Sequence, residues 1–303
     1  VSLSIFKKFR APRYWLTWLL LGFMFICARL PYSWLLFIGK SIGGVFFLLS
    51  VERRHIARVN IDLCFPELNE IERLRIRKNC FYNMGISVME TALAWWGPAE
   101  KIRALYRVEG LKHIEKAVSE DKAVLLLSGH MSCTEIGARQ LAFHLPFQAM
   151  YKPAKNKLFE AVMAAKRGRF YYEMVPRKQS LRLLRNLKRK IVTWYSPDQH
   201  FGHDDTVFAP FFGVPAVSLT ATARIVKSTD AIVIPFFPYR LPGAQGYRLV
   251  IGAPLRNFPC GDSVMDATNV NRVIETAIRL APDQYLWVHQ RFRNRPPGEP
   301  PVY

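Results

Sequence analysis

Apolar and polar positions follow three successive patterns along this chain. The first is nearly continuous. Tyr14 to Ala28 is apolar, Arg29 and Pro31 interrupt it, and a second run from Tyr32 to Ile38 leads past Lys40 to Val45-Phe46-Phe47-Leu48-Leu49. Lys7, Lys8, Arg10 and Arg13 precede it, and Trp15 and Trp18 stand near its start. A cationic flank, interfacial tryptophans and a long apolar stretch predict a membrane anchor within residues 1–50. A signal peptide fits poorly, because no small-residue cleavage site follows and apolar character resumes after Pro31. A buried core helix competes, since the first run falls short of the roughly 18 apolar residues of a full span. Arg53, Arg54 and Arg58 lie downstream, so basic residues flank both ends and orientation stays open, as does spanning versus lying in one leaflet.

The second pattern has a helical period. Glu52 to Leu63 predicts a basic amphipathic helix that ends at Phe65-Pro66. Asn69 then caps a long helix from Glu70 to about Trp96, in which Ile71, Leu74, Phe81, Met84, Val88 and Leu93 recur at helical intervals. Gly97-Pro98 ends it.

The third pattern begins at Tyr106, where short apolar runs alternate with amphipathic stretches. Strands are predicted at Val108-Glu109-Gly110, Ala123–Leu127, Phe147–Tyr151, Tyr172–Val175, Ile191–Tyr195, Ala231–Phe237 and Tyr247–Ile251. Helices are predicted at 111–119, 132–143, 157–169, 180–190, 218–228 and 266–280. Phe208–Phe212 reads as a short apolar segment. Such alternation implies an α/β fold: a mostly parallel central sheet with helices on both faces, preceded by the N-terminal hydrophobic membrane-anchor helix. Residues 51–303 then form one catalytic domain.

Charge narrows the partners. The 303 residues carry a net charge of +20 and are 50% hydrophobic. Such a chain expects an anionic partner: nucleic acid, a membrane surface or an acidic carrier protein. It contains no nucleic-acid-binding motif. Five cysteines without CxxC spacing read as free thiols of a reducing compartment and give no zinc site.

Candidate chemistry centres on Val124-Leu125-Leu126-Leu127-Ser128-Gly129-His130-Met131-Ser132-Cys133-Thr134-Glu135. A buried strand breaks at Ser128-Gly129, a histidine stands at the break, and Ser132 or Thr134 can cap the next helix, whose first turn carries Glu135. An imidazole beside a carboxylate can take a proton from a hydroxyl nucleophile. The His-x4-acid spacing alone is weak, because His200 and Asp205 repeat it. That second instance lies in a polar loop, where His200, His203, Asp204 and Asp205 are acceptable metal ligands; a solvated loop is the preferred reading, and no metal is expected. Cys133, near a helix N-terminus, is a rival nucleophile. Basic residues follow the next two strands, among them Lys152, Lys166, Arg167 and Arg169, then Arg177, Lys178, Arg182 and Arg185. Either they form a solvated face or, lying at the same sheet end as His130, they make a phosphate site. Asp198 also follows a strand there, to pair with an arginine or to position substrate. Phe208-Ala209-Pro210-Phe211-Phe212-Gly213-Val214-Pro215-Ala216 is either core or the wall of an acyl pocket.

Together these blocks resemble the late acyltransferases of lipid A biosynthesis, the lauroyl/myristoyl family of Gram-negative bacteria. The likeness runs from the anchor through Asn60-Ile61, Phe65-Pro66-Glu67, Gly129-His130 to Glu135, Tyr151-Lys152-Pro153, Arg167-Gly168-Arg169, Ser196-Pro197-Asp198-Gln199 and Val207–Gly213. It ends with Ala281-Pro282-Asp283-Gln284-Tyr285-Leu286-Trp287-Val288-His289 through Arg293-Asn294-Arg295-Pro296. The resemblance implies His130 as general base with Glu135 as its partner, and Arg167 or its neighbour Arg169 on a substrate phosphate or developing charge. It also implies substrate-binding roles for Asp198 and Lys152, the lysine standing where arginine is common and so losing the bidentate fork. No cofactor is implied beyond an acyl group on acyl carrier protein. The implied acceptor is a hydroxyl on an acyl chain of a Kdo-bearing lipid A precursor. The implied location is the bacterial inner membrane, catalytic domain on the cytoplasmic side, with no nucleic acid bound. Two alternatives remain: a glycerolipid or lysophospholipid acyltransferase with the same pair, and a non-catalytic basic membrane-binding protein.

Overall fold

The computed structural model describes residues 3–199 and 205–303. Its N-terminal third is helical: α1 (Leu3–Lys8), α2 (Trp15–Cys27), α3 (Tyr32–Leu49), α4 (Val51–Cys64), α5 (Glu70–Trp96) and α6 (Ala99–Arg103). The apolar stretch expected as one anchor is therefore two helices, broken where Pro31 takes the N-cap position of α3. Proline lacks the N–H that would continue α2. By length and composition α3 can cross a membrane. Its buried positions, Tyr32, Leu35, Gly39 and Gly43, form one stripe, and the stripe lies on α5. The contact is backbone to backbone: a Cβ on Gly85 of α5 would stand 2.2 Å from the Gly39 carbonyl oxygen and 2.2 Å from the Gly43 nitrogen. The opposite face of α3 exposes Trp34, Phe37, Val45, Leu48 and Leu49, and α2 exposes Leu16, Leu19, Phe23 and Ile26. An apolar surface of that extent marks an interaction with something other than water.

The long helix α5 starts as expected. The Asn69 side chain accepts from the Glu72 N–H, and Glu72 accepts from the Asn69 N–H, a complete capping box.

The remaining part contains β1 (Tyr106–Glu109), α7 (Lys112–Ser119), β2 (Ala123–Leu127), α8 (Thr134–Leu141), β3 (Phe147–Tyr151), α9 (Lys157–Arg167), β4 (Glu173–Pro176), α10 (Ser180–Lys188) and β5 (Val192–Tyr195). There follow β6 (Thr206–Phe211), β7 (Val214–Leu219), α11 (Ala221–Thr229), β8 (Ala231–Arg240), β9 (Tyr247–Ile251) and α12 (Ser263–Leu280). Among the described residues, seven strands make one sheet in the order β1-β9-β8-β2-β5-β3-β4. Every pairing in it is parallel except β8 with β9. Strand β2 is central and wholly buried, which is why it reads as an unbroken apolar run. Its side chains alternate between two cores. Leu125 and Leu127 pack with Ile274, Phe237 and Trp287, whereas Val124 and Leu126 pack with Ile114, Leu141 and Ile234.

One region departs from expectation. Phe208–Phe212 is part of a hairpin, β6 paired antiparallel with β7, and the following helix starts at Ala221, after Ser218. Phe212 and Gly213 both have positive φ, 52° and 76°, as a tight two-residue hairpin turn requires. Phe211 is fully buried in the core that includes Trp287 and so serves packing, whereas Phe208 on the same strand is exposed.

Candidate active site

Strand pairing brings the candidate residues together. Leu127 at the end of β2 stands beside Tyr195 at the end of β5, and the Ser128 N–H donates to the Tyr195 carbonyl at 2.9 Å. His130 and Asp198 each lie three residues beyond that pair, at the carboxyl end of a parallel sheet, where such folds place their chemistry. The imidazole Nδ1 is 2.6 Å from Asp198 Oδ1, and the His130 backbone N–H donates to Oδ2 at 2.9 Å. The Tyr285 hydroxyl donates to the same Oδ2 at 2.9 Å. The turn carrying His130 packs closely on its surroundings: a Cβ on Gly129 would stand 3.2 Å from Ile274 Cγ2 and 3.6 Å from Asp198 Oδ2.

The electrostatics follow from this geometry. Asp198 is 1% exposed. Burial disfavours its charge, but the His130 charge and the hydrogen bonds from His130 and Tyr285 outweigh that and hold its pKa below the ordinary carboxylate value. Burial also works against a charged imidazole at His130. The Asp198 charge and hydrogen bond prevail, so its pKa is raised. The imidazole side chain stays 36% exposed. Tyr285 is held protonated, first by burial and then by the neighbouring Asp198 charge, and so remains a donor.

Glu135 occupies a second, separate arrangement. It takes a bidentate pair from Arg167, Nε at 3.0 Å and Nη2 at 2.5 Å, and the Trp95 indole N–H donates to it at 2.6 Å. The carboxylate bonded to His130 is thus Asp198, whereas Glu135 bonds Arg167. The contact expected across the strand-to-helix corner does not form: β5, paired with β2, sets Asp198 beside His130, whereas the first turn of α8 directs Glu135 toward Arg167 at the end of α9 and Trp95 near the end of α5. Nor do Ser132 and Thr134 act as caps. No side chain caps α8, and the Thr134 hydroxyl donates to the Met131 carbonyl at 2.5 Å. Asp198, expected to meet an arginine or substrate, spends both oxygens on His130 and Tyr285.

The remaining candidates fall on either side of this centre. Arg167 ends α9, and the Glu135 charge raises its pKa against the opposing effect of burial. Arg169 is exposed two residues further on, and Lys152 is exposed after β3. Cys133 is fully buried. Its thiol contacts the Pro238 carbonyl at 3.2 Å, and burial, with the Glu90 charge, pushes its pKa up to about 12. A thiol so placed stays protonated and makes a poor nucleophile. The metal alternative at His200, His203 and Asp204 lies outside the described residues; Asp205 pairs with Arg224 at 2.6 Å.

Sequence reasoning did not find the groups that brace the centre. The segment after α12 runs back along it: Met131 bridges Tyr285, the Leu286 N–H donates to the His130 carbonyl at 3.1 Å, and the Ser132 N–H to the Gln284 carbonyl at 2.7 Å. Asn60 Nδ2 clamps that segment from α4, donating to the Trp287 and His289 carbonyls at 2.6 and 2.7 Å. Behind it Arg240 holds Glu90 through two 2.6 Å bonds, and Arg240 also donates to Asn83. The Asn60-Ile61 and Gln284-Tyr285-Leu286 blocks were visible in the sequence as segments, but their contact was not.

A family description decides what kind of molecule carries this centre. Residues 4–294 match the family of bacterial lipid A biosynthesis acyltransferases. The chain belongs to that family. It is 35% identical over 293 residues to the lipid A biosynthesis lauroyltransferase of Escherichia coli (strain K12), covering 96% of both chains. It is 35% identical over 298 residues to the palmitoleoyltransferase of the same organism, covering 98% of this chain and 97% of the relative. A lipid A biosynthesis acyltransferase of Haemophilus influenzae is 33% identical over 297 residues, covering 97% of this chain and 95% of the relative. Among solved structures, the 1-acyl-sn-glycerophosphate acyltransferase of Thermotoga maritima overlaps 80% of this chain and 98% of its own, with TM-score 0.39 and 17% identity. The protein is accordingly an acyltransferase enzyme, and the centre built on His130 is the candidate for its chemistry.

Proposed function

We propose that this acyltransferase moves a fatty acyl group from acyl carrier protein to a hydroxyl on an acyl chain of a Kdo-containing lipid A precursor, with His130 as general base. The observation that carries the mechanism is the 2.6 Å contact between His130 Nδ1 and buried Asp198. A carboxylate on Nδ1 fixes the tautomer, leaving Nε2 as the nitrogen that can accept a proton. Nε2 takes the proton of the acceptor hydroxyl. The oxygen then bonds to the thioester carbonyl carbon, the carbon–sulfur bond breaks, and the imidazolium returns its proton to the departing thiolate. Asp198 stabilises the imidazolium in between.

Glu135 and Arg167 form a positioning pair. Glu135 engages Nε and Nη2 of Arg167, so the guanidinium is fixed while Nη1 stands outside the pair. A fixed cation near the reacting carbonyl stabilises the oxyanion without reorganising.

The exposed apolar faces of α2 and α3 support membrane association, and the net charge of +20 suits an acidic carrier and a phosphorylated lipid. Free cysteines fit a reducing compartment, in keeping with a catalytic domain on the cytoplasmic side of the inner membrane.

The test is to incubate the purified protein with a Kdo-lipid A precursor and a series of acyl carrier proteins, and to read product masses. One added acyl chain is expected. Acylation of lysophospholipid or glycerol phosphate in its place would transfer the assignment to a glycerolipid enzyme.

A further inference from the structure

Trp95 has a second role beside its bond to Glu135. Its ring, with Trp96 and Phe170, lines a cavity of about 630 Å³ between α2 and the sheet-bearing part. Four cations enter the same cavity: Arg29, Arg139, Lys166 and Arg169. No acidic residue lines it among the described residues.

The cations are poorly compensated. Lys166 is 7% exposed, with its ammonium 5.0 Å from the Trp96 ring centroid. Burial, then the charges of Arg169 and Arg29, push its pKa down to about 8. The Arg139 guanidinium lies 3.6 Å from the Phe170 centroid, and its buried Nε has no hydrogen-bond partner among the described residues. Like charges gathered in a cleft without counter-charge repel one another, and a buried donor without an acceptor is costly. An anion in the cleft removes both penalties. The aromatic walls supply the complementary requirement, an apolar body behind the anionic head. Arg167 does not line this cleft; its guanidinium is held beside Glu135.

We propose that the cleft binds a phosphate ester carried on an apolar chain, with Lys166 and Arg169 as the main anion ligands and Arg29 and Arg139 completing the charge. Which molecule brings the phosphate rests on the acyl-transfer reading above; the anion site itself does not. Two sources share this chemistry: a phosphorylated lipid acceptor, and the phosphate-bearing arm that tethers the acyl donor.

The site is tested on the whole protein in neutral detergent by titrating tryptophan fluorescence with dodecyl phosphate and with dodecanol. The phosphate is expected to bind saturably and about tenfold or more tightly than the alcohol, as loss of a charge-assisted hydrogen bond implies. Lys166→Gln/Arg169→Gln is expected to abolish that preference. Arg139→Gln/Arg169→Gln serves if the first variant fails to fold. Equal affinity for the two probes, or an unchanged preference in a folded double variant, overturns the proposal. In transfer assays of the same variants, a raised KM for the acceptor assigns the phosphate to the acceptor, and a raised KM for the donor assigns it to the donor arm. Both KM values unchanged would overturn the assignment of the phosphate to either substrate. A protein that transfers no acyl group refutes the acyl-transfer reading alone, because the fluorescence titration still reports on the cleft.

Discussion

Asp198→Asn is the most informative single change in this protein. Asparagine matches aspartate in shape, so the packing around residue 198 is kept. Its Oδ1 can still accept from the His130 N–H and the Tyr285 hydroxyl, which now meet Asp198 Oδ2 at 2.9 Å. Its Nδ2 then occupies the place of Oδ1, 2.6 Å from Nδ1. Two donors cannot face each other at that distance, so Nδ1 must become the acceptor and the proton moves to Nε2. A protonated neutral Nε2 cannot take the proton of the acceptor hydroxyl. The expected loss is about 10³–10⁴-fold in kcat, the magnitude of an imidazole held in the wrong tautomer, or about 4–5.5 kcal/mol of barrier. The pH dependence gives a second reading. The wild-type imidazole is raised by Asp198, so the active neutral form accumulates only above the ordinary imidazole value, and activity climbs with pH through that raised pKa. Removing the charge leaves burial, which acts in the opposite direction, so residual activity should show its limb at lower pH. The assay is transfer rate against pH for a variant whose circular dichroism matches wild type. Retention of more than about a tenth of wild-type kcat, with the limb unmoved, would refute the role given to Asp198.

Three further outcomes are expected. Glu135→Gln breaks a mostly buried pair whose side chains keep 13% and 20% exposure; it should cost about 3 kcal/mol in denaturant unfolding, the low end for such pairs, and lower kcat through Arg167 without moving the His130 limb. An unchanged unfolding midpoint would show that the pair carries no weight. Cys133→Ala should keep transfer within about threefold and cost about 1 kcal/mol of stability, whereas an acyl-thioester trapped on Cys133 would replace the direct mechanism by a covalent one. Gly85→Val puts carbon 2.2 Å from the α3 backbone, so it should cost about 3 kcal/mol, the upper end for overpacking, and expose the Arg29–Pro31 link to limited proteolysis; unaltered cleavage would argue against a close α3–α5 contact.

Strongly local features were legible in the sequence. The Asn69–Glu72 box marked the start of α5 because both partners lie within one turn. The run Ala123–Leu127 marked a buried strand because both of its faces are covered. The β6–β7 hairpin was not legible, since Phe212-Gly213 lacks the usual turn pair and the apolar run before it fits either a strand or a pocket wall. The centre was half legible. His130, Glu135, Asp198 and Arg167 were all identified as candidates, but their pairing was assigned from proximity along the chain.

What the chain determined by itself was most of the elements, the family it resembles and the sheet edge where the candidate residues gather. The elements and the edge follow from periodicity, capping and strand-end position, which need only a few neighbouring residues; the family follows from motif blocks such as Ser196-Pro197-Asp198-Gln199 and the Tyr285-to-Pro296 segment. What the tertiary structure decided was who touches whom. His130 and Asp198 are 68 residues apart. They meet because β5 lies directly against β2 in register, and strand order is a property of the whole sheet. Glu135 was diverted to Arg167 and Trp95 because α8 starts only after a non-helical turn and faces the ends of α9 and α5. A carboxylate takes the strongest donors within reach in the folded protein, and distance along the chain does not report that reach.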